Sequence, residues 1–262
     1  LYGTRRASFL WGERIATDFV EKGGFVRTKG CGQLFDHPIR KILVAVHGDD
    51  FSSKGETVQL AWFDQFIRSC YRVKFGVELG PGKALETSFL NRTLKFMPDF
   101  GYLYCPDPKH IDVGLEKMGL QDAKPVSAPG VKDHGAILSD SLDELGKQDA
   151  STYVSVVGSM IYLSIDRYDV QYVVRTLCQS LASPKKLDVL RLKHLLKYLK
   201  GTRTWVWAFR FQETPKRLVA ESDSDWAQDP RTRKSVSSGL LIYGSHVWEH
   251  WAVGQPTIAL SS

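Results

Sequence analysis

The chain has 262 residues, with 35 Lys+Arg against 29 Asp+Glu and a formal net charge of +6. Hydrophobic residues make up 43% and charged residues 24%, a globular composition that excludes a disordered or collagen-like chain. No apolar run approaches the roughly 18 residues of a spanning helix, which excludes a helical integral membrane protein.

The spacing predicts a first helix over residues 8–22. Trp11, Ile15 and Phe19 recur at i, i+4, i+8, and Gly23-Gly24 ends it. Lys41–Val46 is a short, β-branched apolar run that suits a buried strand, followed at once by His47-Gly48-Asp49-Asp50. A second helix is expected over 56–71, with Val58, Trp62, Phe63, Phe66 and Ile67 as its apolar stripe. Strands are expected over 72–79, 88–97 and 102–105, with a turn at Gly80-Pro81-Gly82. Asp107-Pro108 starts a further helix, with Gly119 after its end. Residues 125–148 read as a linker or long loop. Residues 153–181 are apolar at helical spacing.

Ser183-Pro184 opens a helix over 185–200, closed by Gly201. Leu192, Leu195, Leu196 and Leu199 form its apolar stripe, and Lys186, Lys193, Lys197 and Lys200 line another face. Strands are then expected at 204–211, 217–222, 238–243 and 256–261. Helices and strands come in blocks, so the fold class is α+β. The four cysteines form no CxxC pair. That excludes a zinc knuckle and points to free thiols in a reducing compartment. No secretory leader pattern appears at the start. The chain opens on Leu1 and stops just after a strand-like run, so it reads as a piece of a longer polypeptide.

Three groups of residues could carry chemistry. Asp49 and Asp50 follow a buried strand, and Gly48 suits a tight turn that exposes both acids. A divalent cation offsets such a pair, because Mg²⁺ binds one or two carboxylates together with substrate phosphates. A solvated Asp-Asp turn accounts for the same residues. In Glu221-Ser222-Asp223-Ser224-Asp225 the alternation of a strand puts the acids on one face. Metal-assisted phosphodiester hydrolysis needs such a group, completed by acids from elsewhere. A solvent-facing strand reads the same way. The four lysines of the 185–200 helix could track a phosphate backbone, or line an ordinary solvated helix. His246 and His250 have HxxxH spacing but sit in a strand-like or turn context, where packing is the simpler role. No phosphate loop of the GxxxxGK[ST] type occurs.

Taken in order, these segments resemble the polymerase region of copia-class LTR retrotransposon Pol polyproteins. Leu1-Tyr2-Gly3-Thr4-Arg5-Arg6-Ala7 is similar to the family's LYGLKQA segment, and Val46-His47-Gly48-Asp49-Asp50 stands where the family has its YVDD turn. Ser88-Phe89-Leu90 stands near its FLG strand, and Lys124–Pro129 resembles KPVSTP. Residues 153–163 resemble YRSLVGSLMYL, Arg167-Tyr168-Asp169-Val170 resembles RPDI, and Tyr198–Thr202 matches YLKGT. Ser222–Ala227 matches SDADWA, residues 233–239 resemble RKSTSG, and residues 258–262 resemble VALSS.

The resemblance implies a reverse transcriptase (RNA-directed DNA polymerase, a nucleotidyltransferase) joined to an RNase H endonuclease. Residues 1–105 would be the later part of the palm. Residues 106–205 would be a mostly helical thumb or connection, and residues 206–262 the first strands of an RNase H-like domain. Asp49 would be a palm metal ligand with Asp50 beside it. Asp223 would be the first RNase H carboxylate, with Asp225 close by. Lys186, Lys193, Lys197 and Lys200 would lie against template–primer phosphates. The implied cofactor is Mg²⁺ or Mn²⁺, and two such ions serve phosphoryl transfer. The implied partners are an RNA template, a DNA primer, an RNA–DNA hybrid and the rest of the Pol polyprotein, with no membrane. The implied location of the parent element is cytoplasmic, in a virus-like particle, and nuclear.

His47 and Gly48 replace the family's Tyr and Val. The family's other palm aspartate lies upstream of the LYG segment, and its next RNase H acid falls beyond Ser262. The expectation is therefore a piece inactive on its own. The alternative is a decayed or host-adopted remnant that only binds nucleic acid or protein.

Overall fold

The computed structural model describes residues 4, 6–131, 143–227 and 232–258. Leu1–Gly3 and Arg5 of the LYG-like segment, most of the 258–262 motif and the middle of the expected linker lie outside the described residues. The described residues form a mixed α and β fold with three antiparallel sheets. The chain divides into two compact units, residues 1–77 and 78–262.

In the first unit, α1 (Ala7–Thr17) continues into a π-helical turn, Asp18–Lys22. A four-stranded sheet follows in the order β1 (Val26–Arg27), β2 (Leu34–His37), β3 (Ile42–His47), β4 (Asp50–Lys54). Helix α2 (Thr57–Cys70) closes the unit. Alternation in β3 buries Ile42, Val44 and Val46 on one sheet face. Ile15 and Phe19 pack there with Phe63 and Ile67 of α2. The expected stripe of α2 holds except at Val58, which is 76% exposed. Val58 lies in the first turn at the angular edge of the stripe, so it projects past the sheet.

Asp18 begins the π-helical turn and is 1% exposed. Lys22 Nζ and Arg14 Nε each lie 2.7 Å from its carboxylate, and Tyr71 donates to it at 2.9 Å. Burial pushes the Asp18 pKa up. The bonds from Lys22, Arg14 and Tyr71 outweigh burial and hold it down to about 2, against an ordinary 3.8. A folded pKa below the unfolded one adds stability that is present above pH 3.8 and is lost as pH falls through about 2. The expected loss for this unit is about 2 kcal/mol. Urea unfolding at stepped acidic pH checks it. The slope should be absent in Asp18→Asn, and an unchanged slope in that variant would refute the assignment.

The segment 72–79 is not the expected strand. It runs without regular structure until Leu79 bridges Ala84.

The second unit holds a sheet in the order β5 (Glu86–Phe89), β6 (Arg92–Met97), β7 (Gly101–Cys105), β8 (Trp207–Arg210). The single strand expected over 88–97 is instead a hairpin. Leu90 and Asn91 form its turn at φ 49° and 63°. Two positive φ values suit the right-handed twist of a hairpin, and Asn tolerates them well. Between β7 and β8 the described residues form helices α3 (Lys109–Lys117), α4 (Lys147–Asp166), α5 (Tyr168–Cys178) and α6 (Lys186–Gly201). The helical stretch expected over 153–181 is thus two helices, broken at Arg167. The stripe Leu192, Leu195, Leu196 and Leu199 is fully buried against Val156, Met160 and their neighbours. Gly201 does not cap α6. It is the last helical residue, and Thr202 follows as the cap.

Gly101 has φ 136°, and a Cβ there would lie 2.0 Å from the Phe209 carbonyl oxygen. Only glycine lets β8 approach β7 this closely. Asp166 fastens α4 to the same sheet. Its carboxylate accepts from Arg92 at 2.9 Å and Tyr104 at 2.7 Å, and its carbonyl accepts from Trp207 Nε1 at 2.7 Å. The β5–β8 sheet therefore crosses both divisions, 105/106 and 205/206, that the family resemblance draws along the chain.

The last sheet runs β11 (His246–Gly254), β10 (Val236–Tyr243), β9 (Leu218–Ser224). β11 was not expected from the sequence; of the strand expected at 256–261, Pro256–Ile258 is not strand and residues 259–261 lie outside the described residues. A register shift between Leu241 and Ile242 blurs the alternation that would have marked β11 in the sequence. Among the described residues no helix is long and apolar enough to cross a membrane.

Candidate functional site

Asp49 and Asp50 sit at the tip of the β3–β4 hairpin. Gly48 and Asp49 form the turn, with Gly48 at φ 63°, and Asp50 opens β4 opposite His47. A positive φ at the first central position is what this two-residue turn demands, and Gly adopts it without strain. All four residues from His47 to Asp50 are exposed. Trp11 Nε1 donates to the Gly48 carbonyl at 2.7 Å, tying the tip to α1. The tip thus presents two adjacent carboxylates on a backbone anchored at the turn itself. The tight turn expected at Gly48, with both acids exposed, matches this geometry.

The second acidic group lies on β9. Asp223 is exposed, stands opposite Ser238 and accepts from the Ser224 N–H at 2.8 Å. Glu221 and Asp223 line one open cleft of about 440 Å³, shared with Tyr168, Gln171, Tyr172 and His250. Asp225 is half-buried. Its Oδ1 accepts from the Val236 N–H at 3.0 Å and its Oδ2 from the Tyr172 hydroxyl at 3.2 Å. It therefore fastens the end of β9 to β10 and to α5. Burial, with Asp225 adjoining, pushes the Tyr172 hydroxyl up to about 12.

Sequence reasoning missed Tyr168, Gln171 and Tyr172 as lining residues. Their signal was the i, i+3, i+4 spacing on one face of α5. His250 packs as expected, with Nδ1 against Gln171 Oε1 at 3.1 Å and Nε2 against the Ile165 carbonyl at 3.0 Å. His246 lies 2.9 Å from the Arg210 carbonyl and 3.1 Å from Gln212 Nε2.

The lysines of α6 share one face, as their spacing requires, but they are not uniformly exposed. Lys186 is exposed and pairs with Asp143 at 2.9 Å. Lys193, Lys197 and Lys200 are half-buried. Lys200 donates to the carbonyls of Gln121 and Ala123.

A hard divalent cation is bound through oxygen donors. Carboxylates are the right donors. Among the described residues, however, no three His, Cys, Asp or Glu side chains are grouped to hold a metal ion. Asp49 with Asp50, and Glu221 with Asp223, are partial sets that do not fit such an ion by themselves. The four cysteines are free.

Comparison with known proteins decides the kinship. The retrovirus-related Pol polyprotein from transposon RE2 of Arabidopsis thaliana is 30% identical over 249 residues, 94% of this chain. The chain belongs to the copia-type, retrotransposon Pol-derived proteins. Two shorter matches accompany it. An uncharacterized mitochondrial protein of Arabidopsis thaliana is 31% identical over 61% of the chain, and the secreted RxLR effector protein 161 of Plasmopara viticola is 36% identical over 42%. The Pol-derived chain spans 65% of that mitochondrial protein, 78% of the effector and 16% of the RE2 polyprotein. No family profile and no solved structure match it.

Proposed function

We propose that this Pol-derived chain is a portion of a retrotransposon reverse transcriptase with RNase H. In this reading Asp49 and Asp50 belong to the polymerase centre and Asp223 to the nuclease centre. The observation that supports it is the hairpin. An exposed, turn-anchored Asp49-Asp50 pair stands where the family resemblance puts its YVDD turn, and a Pol polyprotein matches 94% of the chain, which supports the reading. A divalent cation, Mg²⁺ or Mn²⁺, would be held only with further ligands from elsewhere in the polyprotein. This chain's own part is to present carboxylates on a fixed hairpin and, through α6, basic residues to a phosphate backbone.

The donor sets favour a second reading. Two partial acidic groups and His47 at the hairpin also fit a remnant that binds a template–primer or RNA–DNA hybrid without catalysis.

An exchange experiment separates the two. The matching region of the RE2 polyprotein is replaced by this chain, and primer extension and hybrid cleavage are measured. Activity in the chimera supports the catalytic reading. An inactive chimera that His47→Tyr does not rescue, while the isolated chain still binds the hybrid, leaves only the binding reading. The isolated chain is expected to show neither activity, because its described residues supply no three-ligand group.

A further inference from the structure

The lysine face of α6 is crossed by a piece of the chain's own backbone. After α3 the segment 121–130 runs along the C-terminal half of α6. Lys200 Nζ donates to the carbonyls of Gln121 and Ala123, and His194 Nε2 lies 2.9 Å from the Ala128 carbonyl. A Cβ built on Gly201 would lie 2.9 Å from the Pro125 Cβ, so the segment rests directly on that glycine. The three contact points are neighbours of one residue on the helix surface. His194, Lys200 and Gly201 stand at i−3, i+3 and i+4 from Lys197, the positions that surround it on a helix. The segment therefore flanks the turn that carries Lys197; Lys197 and Lys200 are both half-buried.

The segment itself is weakly held. Most of its residues are exposed, and Pro125 and Pro129 have no N–H to donate. Within it, the backbone bond to the preceding helix end is Ala123 N–H to Leu120 at 3.1 Å. Few buried contacts and exposed backbone bonds mark the part of a fold that opens at lowest cost. The bonds it makes to α6 are of a kind that a phosphate oxygen replaces: ammonium and imidazole donors now held by neutral carbonyls. A charged acceptor forms the stronger bond.

We infer that residues 121–130 are a displaceable strap that masks Lys197 and Lys200, and that a nucleic-acid backbone must lift it to engage the full lysine face. This inference rests on the nucleic-acid reading above, and names a control on that same surface.

A reversible lock tests it in the full chain. The would-be Cβ separation of 2.9 Å makes Pro125→Cys with Gly201→Cys a pair that a small shift brings to disulfide geometry. Binding of an RNA–DNA hybrid duplex is titrated against salt, oxidised and reduced, with wild type treated identically. The oxidised form should bind on the order of tenfold more weakly, with a log–log salt slope smaller by roughly 1.8, since each lost phosphate contact removes about 0.9. Reduction should restore both. A second variant works in the opposite sense without a crosslink. Gly201→Ala keeps α6 helical and pushes its methyl into Pro125, so it should tighten binding by the reciprocal of the fraction of time the strap is open. Equal binding of locked and reduced forms, or weaker binding by Gly201→Ala, would overturn the strap while leaving the nucleic-acid reading intact. No hybrid binding by any form, wild type included, would overturn that reading and the strap with it.

Discussion

Replacing Asp49 or Asp50 by Ala in the RE2 chimera is expected to lower primer extension more than about hundredfold. Groups that merely orient metal ligands already cost 10–100-fold when removed, and a ligating carboxylate lost outright costs more. The same substitutions should leave the stability of the first unit within about 0.5 kcal/mol. Both side chains are exposed at a hairpin tip, and the turn is held by the Gly48 backbone and its bond from Trp11. Primer extension and urea unfolding on the same preparations read the two effects separately. Equal losses in both would make the pair structural and remove it from the proposed centre.

The second large effect is on stability. Arg167 is 1% exposed, yet carries a full charge. Its guanidinium meets Asp169 through two bonds, Nε to Oδ1 at 2.8 Å and Nη2 to Oδ2 at 2.6 Å. It also donates to the Thr202 carbonyl at 3.1 Å and hydroxyl at 2.8 Å, and lies 5.0 Å over the Trp205 ring. Burial pushes the Asp169 carboxyl up, but Arg167 and the Tyr198 hydroxyl, bonded at 2.8 Å, overcome it and hold its pKa below the ordinary value. Arg167→Leu leaves the half-buried Asp169 carboxylate with only the Tyr198 hydroxyl and leaves Thr202 without its arginine donor. Breaking a buried pair on one side costs about 3–5 kcal/mol. Urea unfolding of the second unit should register that loss, and Arg167→Lys should recover only part of it, since an ammonium cannot make the paired fork. A loss under about 1 kcal/mol for Arg167→Leu would show that the pair contributes little.

Much of this architecture was legible in the residues. Where one face is buried against one partner, period alone located the element: Ile15 of α1 with Phe19 of the π-helical turn, the alternating β3, the leucines of α6. The hairpin tip was legible because Gly48 between an apolar run and two acids has few other uses. What escaped was set by tertiary partners. Nothing local in residues 88–97 announces a turn except Asn91, since Leu90 is a poor residue for positive φ. Arg167 was legible only as the start of an RPDI-like motif, and its structural role depends on Thr202 and Trp205, brought up from the far end of α6. The α6 lysines were legible as a face. The strap over them was not, because proline-rich backbone that docks through its carbonyls carries no side-chain pattern. Asp225 was legible as an acid near Asp223, but its bonds to Val236 and Tyr172 needed the β10 register.

The pairing of β7 with β8 has a kinetic consequence. Helices α3 to α6 lie between these neighbours along the chain, so the sheet edge cannot close until the intervening bundle has brought its two ends together. Closure over a long intervening stretch carries an entropic cost that local contacts must offset first. The β5–β6–β7 meander and the helices can each form from near neighbours, whereas β8 arrives as a high-contact-order strand, and such strands slow folding. Until it docks, β7 presents an open edge with Tyr102, Leu103 and Tyr104 in extended form, a template for pairing with another copy. The Gly101 contact that makes the final fit so close therefore also sets the last step at which the second unit is exposed to misassembly.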